Sequence, residues 1–501
     1  MVTVRIPNAP PTLIAQTATV EVEAPTIDAA LRELASVYRD LESFFFDDSM
    51  SFHPHLTVFH HNVATSPEAW ASTAVTSQDR ITVFVAAPGD AEDVRMRGFR
   101  TRSTVERALE AALDGVGPLE AQQVPVTECA GRVLAEDVQS EVNVPPFRRA
   151  TMDGFAVRAD DTYGASAYDP VILELIGSSM PGRDRGDSVS SGSAGRIMTG
   201  APVPDGADAV LRAEDASTRH GHLEVAAPVA RAKNIGQVGE DVAAGTTVLF
   251  KGRRLLPQDA GLLASIGADP VRVHRRPVVR IIVSGNELLE PGERPDGFKI
   301  VDSNSPMLAA LVIRDGGIPD VVRLPDDAEM MRQALARPGA DVIVTAGAAS
   351  VGIEDRVPLL VDELGELLVH GVTMRPSSPT GVGRVDATPV FLLPGNPVSC
   401  LVAYDFFAGP AIRVMSGGPE HWPYTSVTLP LSKRLVSQVG RTDYARVRIV
   451  DGEVEPLAIS GASVLSSVTR ASGFVVVPSG LEGYGEGTSV EVHLYGASGE
   501  V

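Results

Sequence analysis

At 501 residues the chain is too long for one core and implies three or more domains, and its 44% hydrophobic content is enough to fill several. A formal net charge of −21 excludes general binding to nucleic acid or an anionic membrane, where phosphates would be repelled, but leaves room for one local basic pocket holding a small anion. Two cysteines, Cys129 and Cys400, lie far apart and outside any CxxC or Cys/His cluster, which argues against a zinc site or disulfide framework and for a reducing, cytoplasmic compartment. No run approaches the ~18 consecutive apolar residues of a membrane helix, and the N-terminus lacks the apolar core and cleavage site of a signal peptide.

Alternation predicts strands over residues 2–7 and 18–24, and helical spacing after a Thr26 cap predicts a helix over 27–38. Further strands are expected over 56–60 and 80–87. Strand, strand, helix, then strands is the order of a β-grasp domain, assigned to residues 1–90. The stretch 20–87, ending in Arg80-Ile81-Thr82-Val83-Phe84-Val85, resembles the sulfur-carrier small subunit of molybdopterin synthase. That family acts through a free C-terminal Gly-Gly. Here Pro88-Gly89 runs on into Asp90, so the resemblance implies a docking domain for other molybdenum cofactor synthesis proteins rather than a sulfur carrier. Residues 91–102 are charged, lack periodicity and read as a linker.

Residues 103–149 and 231–276 are expected to form one domain, with helices over 105–113 and 256–266. Between them, residues 150–230 are rich in Val, Gly and short alternating runs, which predicts an inserted β-subdomain. From 277 to 417 the pattern changes to strand–helix alternation, with strands over 278–283, 321–324 and 341–345 and helices over 305–312 and 328–336. This predicts a doubly wound parallel α/β domain whose ligand site lies at the strand C-termini. Residues 423–501 return to short strands and Gly-rich turns, the pattern of a C-terminal β-domain.

Three loops fall at that sheet edge. Ser284-Gly285-Asn286-Glu287 follows one strand, and Gly347-Ala348-Ala349-Ser350-Val351-Gly352, with Glu354-Asp355 beyond, follows another. Pro394-Gly395-Asn396-Pro397 is a rigid turn before a helix expected near Ser399, with Cys400 as a packing residue. Small residues let backbone approach a phosphate, and nearby carboxylates hold a divalent cation. Each loop alone reads more often as a tight turn. On one edge together they read as a binding site. Asp326 reads as a helix cap.

These loops are preceded by Arg149-Ala150-Thr151-Met152-Asp153-Gly154-Phe155, by Arg196-Ile197-Met198-Thr199-Gly200-Ala201-Pro202 and by Val238-Gly239-Glu240-Asp241. In this order the motifs resemble, over residues 103–501, the molybdopterin molybdenumtransferases, which insert molybdate into the pterin cofactor. The resemblance implies that adenylylated molybdopterin binds at the loops, that Mg²⁺ and molybdate act there, and that metal-loaded cofactor leaves with AMP. It implies catalytic roles for Asp153, Thr199, Asp241, Glu287 and Asp327, and Mg²⁺ ligation by Glu287 and Asp355. It implies cofactor binding by Ser284, Gly285, Asn286, Asp302, Gly347, Ser350, Gly352, Arg375, Ser378, Pro394, Gly395, Asn396, Pro397, Arg441 and Ser466. Asp153, Thr199 and Asp241 match positions that the family presents across a dimer cleft, so a homodimer is expected. Molybdate is an anion and needs donors, such as Thr199, Ser350 or an arginine.

The chain departs from the family at several of these positions. Thr-Gly-Asp-Glu is Ser284-Gly285-Asn286-Glu287 here, the second glycine of Ser-Gly-Gly-Val-Ser-Val-Gly is Ala348 and its valine Ala349, and Lys-Pro-Gly-Lys-Pro is Arg375-Pro376-Ser377-Ser378-Pro379. A charge-assisted bond to an anion is worth ~1–3 kcal/mol, so losing a lysine at Ser378 weakens binding roughly tenfold. Two readings follow: an active transferase, or a pterin-binding scaffold that keeps the fold.

Overall fold

The computed structural model describes residues 1–5, 19–38, 41, 45–46, 51–52, 56–60, 63–77, 79–85, 102–295, 297–347, 356–458 and 461–496. At the N-terminus, five strands lie in the order Thr19–Val22, Val2–Arg5, Arg80–Val85, Leu56–His60, Val63–Thr65. Val2–Arg5 runs parallel to Arg80–Val85, and the other pairs are antiparallel. The helix Ile27–Val37 begins where the Thr26 hydroxyl accepts the Ala29 amide at 3.3 Å. Its apolar stripe of Ile27, Leu31 and Leu34 shares one core with Val4, Ile81 and Val83. This is the expected β-grasp. The Pro88-Gly89-Asp90 sequence and the linker up to residue 101 lie outside the described residues.

The α/β domain holds a sheet in the order Ile318–Leu324, Val278–Ser284, Val342–Ala346, Thr388–Leu393, Gly381–Val385, Gly365–His370. The first four strands are parallel, joined through the helices Asn304–Arg314, Ala328–Ala336 and Val357–Leu364. Val278–Ser284 and Val342–Ala346 are buried at nearly every residue, so apart from Arg280, Ser284 and Thr345 they read as apolar runs rather than as alternation. The last two strands run antiparallel, so the sheet is mixed rather than wholly parallel. The reason is local: only Asp386-Ala387 separates Gly381–Val385 from Thr388–Leu393, and a two-residue loop joins only antiparallel strands.

Behind the sheet, Pro397–Ala403 continues through Tyr404–Ala408 into Gly409–Met415 as one apolar helical stretch, 89% of it buried. It starts two positions before Ser399 because Pro397, fixed in φ and lacking an N–H, suits the first helical turn. Burial also pushes the Cys400 thiol up, which leaves it a packing residue. The helix Val105–Leu113, expected with residues 120–149, instead buries Val105, Ala108 and Ala112 in this α/β core. Its amphipathic pattern shows that one face is buried but not what covers it. Phe391, fully buried in a central strand of the same core, gives a stability test. Phe391→Ala is expected to lose ~3–5 kcal/mol, read as a lower urea midpoint at unchanged slope.

The C-terminal sheet runs in the order Met374–Arg375, Thr442–Val450, Gly473–Val477, Ser489–Leu494, Ser426–Pro430, with Glu453–Ala458 also on Thr442–Val450. Its first strand comes from upstream of the boundary expected at 417, and Arg375 pairs directly with Asp443 in the ladder.

Residues 120–275 form a separate unit. Its inserted sheet has the order Ala209–Arg212, Gly154–Val157, Ser193–Ile197, Val171–Ser179, His222–Val225, Ala216–Arg219. Phe155, Leu173, Leu211 and Leu223 fill its core. The flanking segments meet in a second core around Cys129, Leu134, Leu255 and Val273, closed by the ladder of Ala121–Val124 with Val271–His274.

Candidate functional site

The parallel strands bring their loops to one edge. Gly347 has φ +100°, its amide bonds to Leu393 O at 3.2 Å, and a Cβ on it would sit 3.0 Å from Ser284 O. A Cβ on Gly395 would lie 3.4 Å from the Gly347 Cα. Backbone from all three loops is thus in contact, and only glycine suits position 347. Residues 348–355, which include Ser350, Gly352 and Asp355 and the changes at Ala348 and Ala349, lie outside the described residues.

Asn304 crosses to the third loop, its Nδ2 donating to Gly395 O at 2.7 Å while its buried Oδ1 lacks a partner. Asp302, 2% exposed, accepts the Asn304 and Ser305 amides at 3.0 Å each, the Ser305 hydroxyl, and Arg323 at 2.9 Å. Burial pushes its carboxyl up, but the bonds from Ser305 and Arg323 outweigh that and hold it below the usual carboxylate range. Both oxygens are committed, so Asp302 positions this loop rather than facing a ligand. A depressed carboxyl stabilises the fold above its unfolded value and loses that contribution as pH falls through the folded one. The urea-midpoint advantage over Asp302→Asn is therefore expected to be full near neutral pH and to shrink below roughly pH 4. An advantage flat with pH would contradict this.

Asn286 and Asp326 bond reciprocally: the Asn286 amide donates to Asp326 Oδ2 at 2.9 Å and the Asp326 amide to Asn286 Oδ1 at 3.2 Å. The helix cap expected at Asp326 belongs instead to Asp327, whose carboxylate accepts the Met330 amide at 2.8 Å. Ser284, Asn286, Asp327 and Arg356, with Met331 and Leu360, line a cavity of about 600 Å³. Glu287 is exposed, and among the described residues its carboxylate has no hydrogen-bond or ion-pair partner. No group of three or more His, Cys, Asp or Glu able to hold a metal occurs among them either.

A second constellation surrounds Asp443, which is 0% exposed. It accepts from Arg375 at 2.6 Å, Arg441 at 3.0 Å and the Ser437 hydroxyl at 2.8 Å. Arg375 Nε and Ser378 Oγ are buried and have no hydrogen-bond partner among the described residues. Ser377 keeps φ at +80°, although glycine would suit it better, and its hydroxyl donates to Ser399 O at 2.7 Å, tying this turn to the helix after Pro397. The C-terminal domain also reaches the Pro-Gly-Asn-Pro turn, through Ser463 Oγ to Asn396 Oδ1 at 2.7 Å and the Val398 amide to Ala462 O at 3.0 Å. Ser466, the serine expected there, instead heads the short helix Ser466–Thr469, and no side-chain bond joins it to that turn. Ser463 and Asp443 escaped the sequence reading. The run of small residues in Gly461-Ala462-Ser463 was the available hint.

In the 120–275 unit, Asp153 Oδ1 accepts the Thr199 amide at 2.7 Å and its hydroxyl at 2.8 Å. Those bonds, the amide's foremost, hold Asp153 below the usual carboxylate range. The Thr199 proton is thereby committed, so Thr199 is not the oxyanion donor expected. A Cβ on Gly154 would fall 1.9 Å from Leu211 O, so the chain bends after Asp153 only with glycine. Asp241 is exposed, and no bond joins it to Asp153 or Thr199. Its neighbour Glu240 pairs with Arg149 at 3.0 Å.

A doubly wound domain whose strand ends carry crowded glycine turns and an open carboxylate, in a chain that also gathers two arginines on Asp443 in its C-terminal sheet, defines a protein built around an anionic ligand. Residues 103–267 match the MoeA N-terminal region (domain I and II), 280–414 the probable molybdopterin binding domain, and 428–495 the MoeA C-terminal region (domain IV). Molybdopterin molybdenumtransferase 2 of Mycobacterium tuberculosis is 36% identical over 386 residues, 74% of this chain and 94% of the relative. The molybdopterin molybdenumtransferase of Bacillus subtilis is 33% identical over 406 residues, 79% of this chain and 94% of its own. The crystal structure of the molybdopterin biosynthesis protein moeA from Pyrococcus horikoshii superposes with a TM-score of 0.65 at 34% identity, covering 79% of this chain and 100% of that one. The chain belongs to the molybdopterin molybdenumtransferase family.

Proposed function

We propose that this chain is an enzyme of molybdenum cofactor biosynthesis that inserts molybdate into adenylylated molybdopterin and releases AMP. The observation that carries this reading is the pair of buried donors without acceptors, Arg375 Nε and Ser378 Oγ, beside two guanidiniums fixed by Asp443. Buried polar groups without partners are costly, and an oxyanion's oxygens would satisfy both. Asp443 holds Nη2 of Arg375 and Nε of Arg441, so both guanidiniums are oriented before any ligand arrives. Ser378, where the family carries lysine, removes one charge but keeps a donor turned inward.

At the sheet edge, the side-chain-free backbone of Gly347 and Gly395 lets the three loops close on one another, which gathers their backbone where the phosphate is proposed to bind. Glu287 offers the open carboxylate for Mg²⁺, with Asp355 as its proposed companion. When bound, the cation neutralises charge on the phosphoanhydride. Asn286 and Asp326 hold the Glu287 loop in place through their reciprocal bonds. Asp153, Thr199 and Asp241 belong to this reading as the contribution of a second copy, which makes the functional form a homodimer. The N-terminal β-grasp domain is proposed as a docking module for other proteins of cofactor synthesis, and the cytoplasm as the place of action, in keeping with two buried free thiols.

The test is AMP release from adenylylated molybdopterin by the full chain. AMP that forms only with both molybdate and Mg²⁺ supports the reading. Tight pterin binding with no AMP under any condition supports the scaffold instead.

A further inference from the structure

After Glu287 the chain leaves the fold and comes back to the same place. Leu288–Leu289 pairs in parallel with Ile300–Val301. Parallel strands enter at the same end, so the chain beyond Leu289 has to double back before it re-enters at Ile300. The Ile300 amide donates to Glu287 O at 2.9 Å and the Asp302 amide to Leu289 O at 3.0 Å, so the returning limb, with Phe298 and Lys299, comes in beside Glu287. The base of this excursion is tied down. Glu290 Oε2 accepts from Arg323 Nη1 at 2.9 Å, the same arginine that holds Asp302 through Nε. The Glu293 carboxylate accepts the Glu290 amide at 2.9 Å. With those carboxylates engaged, the side chains left open are an aromatic ring and two cations. Phe298 is fully exposed. Arg294 and Lys299 are exposed as well, and neither has a hydrogen-bond or ion-pair partner among the described residues. Together with Leu289 and Glu293 these three line one open groove.

We infer that Phe298, Lys299 and Arg294 hold the adenylyl end of the substrate, with the adenine face on the Phe298 ring and the phosphate on the two cations. This inference rests on the reading of Glu287 as the carboxylate that holds Mg²⁺ against the phosphoanhydride. An open aromatic face with cations next to it suits a nucleotide, because a base stacks on the ring while its phosphate pairs with the charges. In a chain of net charge −21, two cations without counter-ions beside Glu287 are what draw an anion to that end of the site. The substrate carries two ring systems, and the division of the site tells them apart. The pterin end has to reach the molybdate, which is proposed to bind at Arg375, Arg441 and Ser378. The group left to be held beside Glu287 is the departing AMP.

The experiment is equilibrium dialysis of radiolabelled AMP and of ribose 5-phosphate, with Mg²⁺, against the full chain and its Phe298→Ala, Phe298→Tyr and Lys299→Ala variants, with melting curves for each. Phe298→Ala is expected to weaken AMP binding about tenfold at an unchanged melting temperature and to leave ribose 5-phosphate, which has no base, unaffected. Phe298→Tyr, which keeps the ring, should bind AMP like the unmodified chain. Lys299→Ala should weaken both ligands. AMP affinity unchanged in Phe298→Ala overturns the inference, and if the same variant then binds molybdopterin without the adenylyl group less well, the ring serves the pterin instead. An unmodified chain that binds no AMP overturns it too. The reading of the site falls separately, only if adenylylated molybdopterin yields no AMP.

Discussion

Asp443→Ala is expected to abolish measurable molybdate binding and to lower stability by ~3–5 kcal/mol, the usual cost of removing one partner from a buried ion pair. The carboxylate is completely buried and takes bonds from Arg375, Arg441 and the Ser437 hydroxyl. Without it, two guanidiniums face each other across a ladder position where Arg375 and Asp443 are register partners. They then lose both their charge balance and the contact that aims their free nitrogens. Asp443→Asn separates the two effects. It keeps the shape but not the charge, so part of the stability is expected to return while molybdate affinity stays low, because an amide offers one acceptor oxygen and no charge to hold both arginines. Chemical denaturation and molybdate dialysis on both variants check this. A variant as stable as the parent, with intact affinity, would show that Asp443 is a bystander.

Glu287→Gln is expected to behave in the opposite way. The side chain is exposed and makes no described contact, so folding stability and molybdate affinity should stay within error of the parent. AMP release should fall by roughly a hundredfold or more, because a bound cation contributes several kcal/mol of charge stabilisation to such a step and the carboxylate helps hold it. Raising Mg²⁺ should restore part of the rate if the lost function is cation affinity. An unchanged rate at limiting Mg²⁺ would remove Glu287 from the metal site and leave the role to residues 348–355.

Some of this was readable in the chain. The parallel strands announced themselves because both faces are covered, which makes Val278–Ser284 and Val342–Ala346 predominantly apolar, interrupted only by Arg280, Ser284 and Thr345. The loops at their ends were legible because glycine and proline mark conformations that other residues resist, as Gly347 and the Pro-Gly-Asn-Pro turn bear out. What stayed hidden depends on long-range partners. Nothing in Arg375-Pro376-Ser377 says that its arginine will pair with Asp443, because that contact needs the C-terminal sheet to recruit an edge strand from the preceding domain. Asp302 and Glu287 look alike as acidic residues in loops, yet one is spent on Ser305 and Arg323 and the other is open. The cap on Asp327 rather than Asp326 is a one-residue shift that local pattern does not resolve.

The central claim concerns transfer of the metal, not hydrolysis alone. The most direct measurement is therefore the molybdenum content of the pterin released by the full chain, by elemental analysis beside AMP and by reconstitution of a cofactor-free molybdoenzyme. The account predicts one molybdenum delivered for each AMP formed, with reconstituted activity rising in parallel. AMP without molybdenum in the pterin, or pterin retained on the protein with neither product, would contradict it.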